Sequence, residues 1–490
     1  MSFVKDTMWG SMTAFASRAL NFLFQIIILW LLIPEDAAAY FIALSVSYLL
    51  LLPTTYLLSP IVARYIPYYE GKGERKKSKT IFITSIVFSV FFGLLALVLL
   101  FGMEDVVGSI YTVLSGKILF VGLITFAMSI WTEIYDNLFA HFLFKENFYA
   151  NMIQSLVKLG GVALIFLIGM DMNFEWVAIV TILSLLISSF YGFIKLHRLN
   201  TPYELEFFNM KEILSKLKFS LSGSIMYAKS LSLTWLDTNI LGYYNPARDV
   251  SGYNATAGIA RNFINIITSS LSSAVLPHVS KKIGKGENGE FIFREITRAG
   301  IYVAIFATIL LALLSNEITA LFFPKYTDYS SLITLNAIGF VAFSLSSIFR
   351  SFIMALRWAK PLFYIAVFSI VASVVLYFTL IPIYGVVGAV AATITVYIIE
   401  LAISAYYVSK EYRLVYRDII KPIASGIAVL LSAFLVYQIF YPWNFIIRLV
   451  LVSFTATIMF VACIVLFEND WVRMIWKKVK SIKTFPLKPN

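Results

Sequence analysis

Charge is scarce in this chain of 490 residues: Asp, Glu, Lys and Arg make up 13% of it, while 60% is hydrophobic. A soluble globular domain carries about 25% charged residues, so a water-soluble fold is excluded. Cysteine is scarcer still. Cys463 stands alone inside an apolar run, which rules out a disulfide framework and a cysteine-based metal site. The three histidines, 141, 197 and 278, lack ligand spacing, so no metal is expected. No P-loop occurs, which argues against direct ATP coupling. Gly284, Gly286 and Gly289 satisfy G-x-G-x-x-G, but they follow an apolar helix where a nucleotide site needs a strand, and they read as a flexible loop. Alternation with period 2 is missing as well, which excludes a transmembrane barrel.

What the chain does contain is a series of apolar runs of about 20 residues, the length that crosses a hydrocarbon layer roughly 30 Å thick. Fourteen helices are expected, near 9–33, 37–63, 80–101, 118–144, 152–169, 174–196, 219–243, 252–280, 298–323, 331–356, 362–381, 384–408, 419–440 and 445–467, and are numbered 1 to 14. The fold class is an all-α polytopic membrane protein. The first run contains Arg18, exceeds the apolar core of a signal peptide and lacks a small-x-small cleavage site, so it reads as a retained helix.

With the N-terminus inside, inner segments hold 30 Lys and Arg and the outer loops only Lys117, Arg248, Lys325 and Arg448. Basic residues resist translocation, so both termini are placed in the cytoplasm and the protein in the cell membrane. The net charge of +12 then reports topology, with no nucleic-acid partner. No loop has room for a soluble catalytic domain, so an enzyme is not expected. The tail from Trp471 to Ile482 sets an apolar side against Arg473, Lys477, Lys478 and Lys480, the pattern of an interfacial helix on anionic lipid.

The chain repeats itself at an offset of about 214 residues. Tyr40 and Tyr253 each stand 31 residues before an identical Gly-Lys-Gly-Glu, at Gly71 and Gly284; Pro60 and Pro277 end the preceding helices, and Arg198-Leu199 recurs as Arg413-Leu414. The expected organisation is a lobe of helices 1–6 (residues 1–200), a lobe of helices 7–12 (201–414), helices 13 and 14 (415–468) and a basic tail (469–490). Six helices separate equivalent positions, so the lobes share one orientation, related by an axis along the membrane normal.

Ionisable side chains inside a bilayer are costly and should face a cavity or a partner. Arg18, Lys229 and Arg261 lie about eight to ten residues from an expected helix end, too deep to snorkel easily. With one nearby acid, Asp237, they suggest a cavity suited to an anionic ligand, since a desolvated guanidinium grips phosphate bidentately; ion pairs such as Lys229 with Asp237 are the structural alternative. Lys158, Arg350 and Glu400 are expected nearer the inner surface, able to snorkel or pair. Helix 4 carries one polar stripe, Ser129, Glu133, Asp136, Asn137 and His141. Its two acids, three residues apart, repel one another and can share a proton or hold Na⁺; hydrogen-bonded packing is the alternative. The equivalent stripe on helix 10 is Ser344, Ser347, Arg350 and Ser351, with Arg350 at offset 214 from Asp136.

The stretch from Asp237 to Ser280, with Ile240-Leu241-Gly242-Tyr243, Gly252-Tyr253-Asn254-Ala255 and Leu276-Pro277, resembles the start of the second lobe in polysaccharide repeat-unit (O-antigen, oligosaccharide) flippases of the multidrug/oligosaccharidyl-lipid/polysaccharide exporter superfamily. Leu380-Ile381-Pro382-Ile383-Tyr384-Gly385-Val386-Val387-Gly388-Ala389 resembles the same family between helices 11 and 12. The resemblance implies two six-helix lobes around a cavity, alternating access and translocation of an isoprenoid phosphate- or pyrophosphate-linked oligosaccharide. Ser17-Arg18-Ala19-Leu20 is similar to an arginine-bearing segment in helix 1 of lipid II flippases, and Arg261 falls where those relatives carry a base. Their second helix 1 arginine has no counterpart; Gln25 stands nearby, which bears on whether lipid II is the substrate.

On this reading Arg18, Lys229 and Arg261 hold phosphate, Tyr227, Trp235 and Tyr253 stack on sugar faces, and Glu133, Asp136 and Asp237 serve H⁺ or Na⁺ coupling or charge balance. No cofactor is expected. The partners are the lipid-linked oligosaccharide, membrane lipids and other polysaccharide-assembly membrane proteins. Two alternatives differ from it: a cation-coupled drug or metabolite antiporter, which calls for an acid-dominated cavity and no helices 13 and 14, and a membrane glycosyltransferase or ligase, supported only by Glu35-Asp36 in the first outer loop.

Overall fold

The computed structural model describes residues 2–200, 211, 214–260, 289–356 and 359–468, and no strand occurs among the described residues. Nine helices in that set are long and apolar enough to cross a membrane, ten when the bent pair Pro34–Leu50 and Thr55–Gly71 counts as one span. Every expected helix has a helical counterpart. Helix 1 is Ser2–Leu31, helix 2 the bent pair, helix 3 Arg75–Gly102, helix 4 Ile118–Ala140, helix 5 Phe144–Leu167 and helix 6 Phe174–Asn200. Helix 7 is Leu217–Thr234 followed by Leu236–Tyr244, helix 9 Glu290–Leu313, helix 10 Ser330–Ala355, helix 13 Tyr416–Ile439 and helix 14 Phe445–Phe467. Helices 11 and 12 are the two arms of Ala359–Val408, and helix 8 is described only over 247–260. Arg261, Pro277, His278, the second Gly-Lys-Gly-Glu and the basic tail lie outside the described residues.

The differences from expectation have local causes. Helix 2 is broken at 51–54 and bent by 56°, because Pro53 has no N–H to donate and disfavours helical geometry in the residue before it. Helix 5 begins at Phe144, eight residues earlier than expected: Lys145, Glu146 and Asn147 form a charged first turn in place of a loop. Helices 11 and 12 turn at Gly385, whose φ of +56° and ψ of −132° belong to a region essentially reserved for glycine. An added Cβ there would also lie 2.7 Å from the Asn245 amide nitrogen.

The chain forms two compact units, residues 1–262 with 363–396 and residues 263–362 with 397–490. In the first, Leu58, Ile61 and Ile66 of helix 2 pack with Ile81 and Phe82 of helix 3, Ile134 and Leu138 of helix 4, Ala150 of helix 5 and Leu196 of helix 6. In the second, Ile309 of helix 9 packs with Val429 and Ala433 of helix 13 and Val452 and Ala456 of helix 14. Charges tie the same three helices at one end, where Arg294 meets Asp418 at 2.7 Å and Arg298 meets Glu468 at 3.4 Å. Large apolar side chains remain exposed along the spans, among them Phe91, Val98, Leu164, Leu167, Leu435 and Leu466. Lipid is the solvent that such a surface suits.

Candidate functional site

The polar stripe of helix 4 is the spine of a buried network in the first unit. Ser129 Oγ donates to the Ser89 carbonyl at 2.7 Å and lies 3.1 Å from Thr55 Oγ1, joining helices 2, 3 and 4. Ser89 Oγ donates to Glu133 Oε2 at 3.2 Å, and Asn137 Nδ2 donates to Glu133 Oε1 at 2.7 Å. Glu133 is 1% exposed, so both oxygens of a sealed carboxyl are satisfied by neutral donors, as burial of a polar group requires. His141 Nδ1 lies 2.8 Å from the Asn137 carbonyl, and its Nε2 lies 3.4 Å from Glu70 at the inner end of helix 2.

Asp136 points elsewhere. Its Oδ2 accepts a hydrogen bond from Ser59 Oγ of helix 2, and the residue is half-buried. Tyr227 of helix 7 and Tyr56 of helix 2 are within its electrostatic reach, while Arg18 of helix 1 reaches the neighbouring Tyr135. Arg18, Asp136 and Tyr227, each singled out by sequence, therefore share one neighbourhood.

Helix 7 runs antiparallel along helix 2. Pro60 cannot donate to the Tyr56 carbonyl one turn back; Ser224 Oγ donates to that carbonyl at 3.1 Å instead. Ser220 Oγ donates to the Leu57 carbonyl. Between them Gly223 lies so close that an added Cβ would come within 2.7 Å of the Pro60 ring, the close approach that small residues permit between membrane helices. Tyr227 stacks on Tyr56 at 5.1 Å, and Trp235 stacks on Tyr48 at 4.7 Å. Both of these candidate sugar-stacking rings thus also serve the seam between helices 2 and 7. Lys229, two residues from Tyr227 and hence about 200° around the helix, lies on another face and is 7% exposed.

A second cluster surrounds Asp237. It is 1% exposed, and its oxygens accept from Tyr253 Oη at 2.5 Å and from the Thr238 amide at 2.6 Å. Thr238 Oγ1 donates to Asn254 Oδ1 at 3.2 Å, and Gln25 Nε2 of helix 1 donates to the Asn254 carbonyl at 2.9 Å. Tyr253, the third candidate ring, is 1% exposed.

Sequence reasoning misses one deep base. With helix 5 starting at Phe144, Lys158 lies 14 residues, about 21 Å, from its inner end, so the expected position near the inner surface is corrected. It is 9% exposed, and its ammonium lies 5.3 Å from the Phe24 ring centroid of helix 1. Only the position of the helix start could have revealed this depth. Arg350 and Glu400, expected to snorkel or pair, form an ion pair in the second unit, where Arg350 Nη1 also meets Ser346 Oγ at 2.9 Å. Among the described residues no group of His, Cys, Asp and Glu is arranged to hold a metal.

A solved lipid II flippase MurJ in its inward closed conformation has a similar fold, with a TM-score of 0.78 at 17% identity, covering 95% of this chain and 100% of that one. An inward-facing multidrug transporter of the same superfamily gives 0.66 at 13% identity, covering 82% and 98%. Among sequences, an uncharacterised membrane protein of Methanocaldococcus jannaschii is 22% identical over 457 residues, 86% of this chain and 88% of its own. A probable flippase, AglR, of Haloferax volcanii is 27% identical over 175 residues, 34% of this chain and 36% of its own. The family described as lipid II flippase MurJ matches residues 36–461. The match begins after helix 1 and runs from the first turn of helix 2 into helix 14, and the chain belongs to that family of membrane transporters.

Proposed function

We propose that the chain carries a lipid-linked oligosaccharide across the cell membrane by alternating access between a lobe of helices 1–6 and a lobe of helices 7–12. The head group is held through its phosphates by Arg18, Lys229 and Arg261, and the isoprenoid tail stays in lipid. The observation that supports this reading is the positive charge set deep in the first unit. Lys229 and Lys158 are 7% and 9% exposed, and Arg18 is half-buried. Ionisable side chains inside a membrane mark substrate or ion pathways, and deep cations suit an anionic head group.

Gln25 supports a glycan other than that of lipid II. In the neighbourhood where lipid II flippases carry a second arginine, this side chain is committed to the Asn254 carbonyl. Candidate rings for the sugar are Tyr227, Trp235 and Tyr253, exchanged from protein to ligand as the conformation changes.

The test is translocation of a fluorescent polyprenyl diphosphate-linked oligosaccharide in proteoliposomes. Arg18→Ala and Arg261→Ala should each abolish flipping with insertion intact. Wild-type flipping in both would overturn the anion site, and conversion of the lipid-linked donor into a new glycosidic product would replace transport by an enzyme.

A further inference from the structure

The two acids of helix 4 differ in a way that assigns them different work. Glu133 is 1% exposed and both of its oxygens accept from neutral donors. Asp136 is half-buried, one short turn from the inner end of helix 4, and among the described residues only Ser59 donates to it. Its Oδ1 is left without a donor from them.

Ser59 Oγ in turn has two acceptors within reach, Asp136 Oδ2 and, at 3.3 Å, the Thr55 carbonyl of its own helix. A hydroxyl that bonds the carbonyl four residues back bends a helix, and Ser59 immediately precedes Pro60, where helix 2 already lacks one backbone bond. Helix 7 docks at that spot, through Ser224 on the Tyr56 carbonyl, Ser220 on the Leu57 carbonyl and Gly223 against the Pro60 ring.

We propose that Asp136 is the binding site for a coupling proton drawn from the inner aqueous phase, and that its occupancy sets the docking of helix 7 on the Pro60 bend. Deprotonated, Asp136 accepts a charge-assisted bond from Ser59 and holds helix 2 against helix 4. A proton added to Oδ1 makes a neutral carboxylic acid. The bond from Ser59 loses about half its strength, and the hydroxyl transfers to the Thr55 carbonyl. The bend at Pro60 changes, and with it the seam to helix 7. No heavy-atom bond forms or breaks.

The titratable groups about Asp136 are Glu133 and Tyr135 on its own helix, Tyr56 of helix 2 and Tyr227 of helix 7, and Arg18 of helix 1 faces Tyr135. From helix 3 the hydroxyls of Ser85 and Ser89 face the neighbouring Glu133. His141 with Glu70 is a separate titratable pair one turn further on. This inference rests on the transport reading, because a proton site that moves helix 7 serves a transporter; its test, however, needs no substrate.

Full-length protein carrying Cys463→Ala receives cysteines at the exposed positions Ala63 and Leu221, on the facing stretches of helices 2 and 7. Spin labels there report the distance distribution in nanodiscs as pH is varied. The parent should shift between two distributions with one midpoint. Asp136→Asn should lose the shift and hold the low-pH distribution throughout, Ser59→Ala, which lacks the hydroxyl that moves between Asp136 and the Thr55 carbonyl, should lose the shift as well, and His141→Gln should leave it in place.

A pH-independent parent, or an Asp136→Asn variant that titrates like the parent, overturns the proposal; so does a shift that vanishes only in His141→Gln. Asp136→Glu guards against a merely misfolded variant, since it should restore the shift. If the distances titrate but no lipid-linked oligosaccharide is flipped, the proton site stands and the substrate assignment fails. If the oligosaccharide is flipped but the distances do not titrate, the substrate assignment stands and the proton site fails.

Discussion

Position 136 of helix 4 and position 350 of helix 10 stand 214 residues apart, the offset at which the sequence repeats, and each unit has solved the problem of a polar group in lipid differently. In the first unit Asp136 is an acid served by a hydroxyl, beside a second acid, Glu133, served by an amide and another hydroxyl. In the second unit Arg350 is a base ion-paired to the sealed carboxylate of Glu400 and braced by Ser346. An ion pair fixes charge at both ends and is costly to break. A carboxyl among neutral donors can gain or lose a proton without stranding a partner. Both positions are polar, but one holds an ion pair and the other a carboxyl among neutral donors.

The largest effect should come from breaking the fixed contact. Arg350→Met removes the ion-pair partner of Glu400, whose side chain has no exposure, and should destabilise the protein by about 3–5 kcal/mol. Thermal unfolding in detergent at one scan rate measures it. Combining Arg350→Met with Glu400→Gln should recover much of the loss; a double variant as unstable as the single would show that the pair is held for packing and not for charge.

Next comes the seam between helices 2 and 7. Gly223→Val puts a side chain where a Cβ would already lie 2.7 Å from Pro60, and overpacking of this kind costs about 1–3 kcal/mol. The same thermal measurement checks it, and flipping should fall with it if docking of helix 7 is part of the cycle. An unaltered unfolding temperature would mean that the seam is looser than its contacts state.

How much of this is readable from sequence depends on the range of the interaction. Apolar run length locates the long helices among the described residues, since backbone satisfaction in lipid leaves no other choice. The stripe of Ser129, Glu133, Asp136, Asn137 and His141 is legible because three- and four-residue spacing is local. The break in helix 2 is marked by Pro53, and the close approach of helix 7 by Ser220, Gly223 and Ser224, yet neither sign says which helix supplies the partner. Ser59 lies 77 residues from Asp136, and Glu400 lies 50 from Arg350, separations that no periodicity links. Sequence places Lys158 too shallow because a charged first turn resembles a loop. It leaves Tyr227 and Trp235 as free rings because nothing local shows that Tyr56 and Tyr48 stack on them.

The two acids of helix 4 should then separate by stability alone. Glu133→Gln keeps a carbonyl oxygen for Asn137 and turns an amide toward Ser89, whose hydroxyl can rotate to accept; one remade bond in a sealed site is worth about 1 kcal/mol.

Asp136→Asn should have the smallest effect of all, within about 0.5 kcal/mol in either direction. The Ser59 hydroxyl has the Thr55 carbonyl as its other acceptor; what is lost in charge assistance is offset by no longer holding a charge in a half-buried place. Thermal unfolding of the two single variants and the double, beside the parent, gives their coupling as well. If the acids repel one another, the double variant should be less stable than the singles predict by addition, because either substitution alone already relieves the one repulsion and the second cannot relieve it again. Strict additivity would mean that Glu133 and Asp136 titrate independently, and the likeness between helix 4 and helix 10 would then be one of position only.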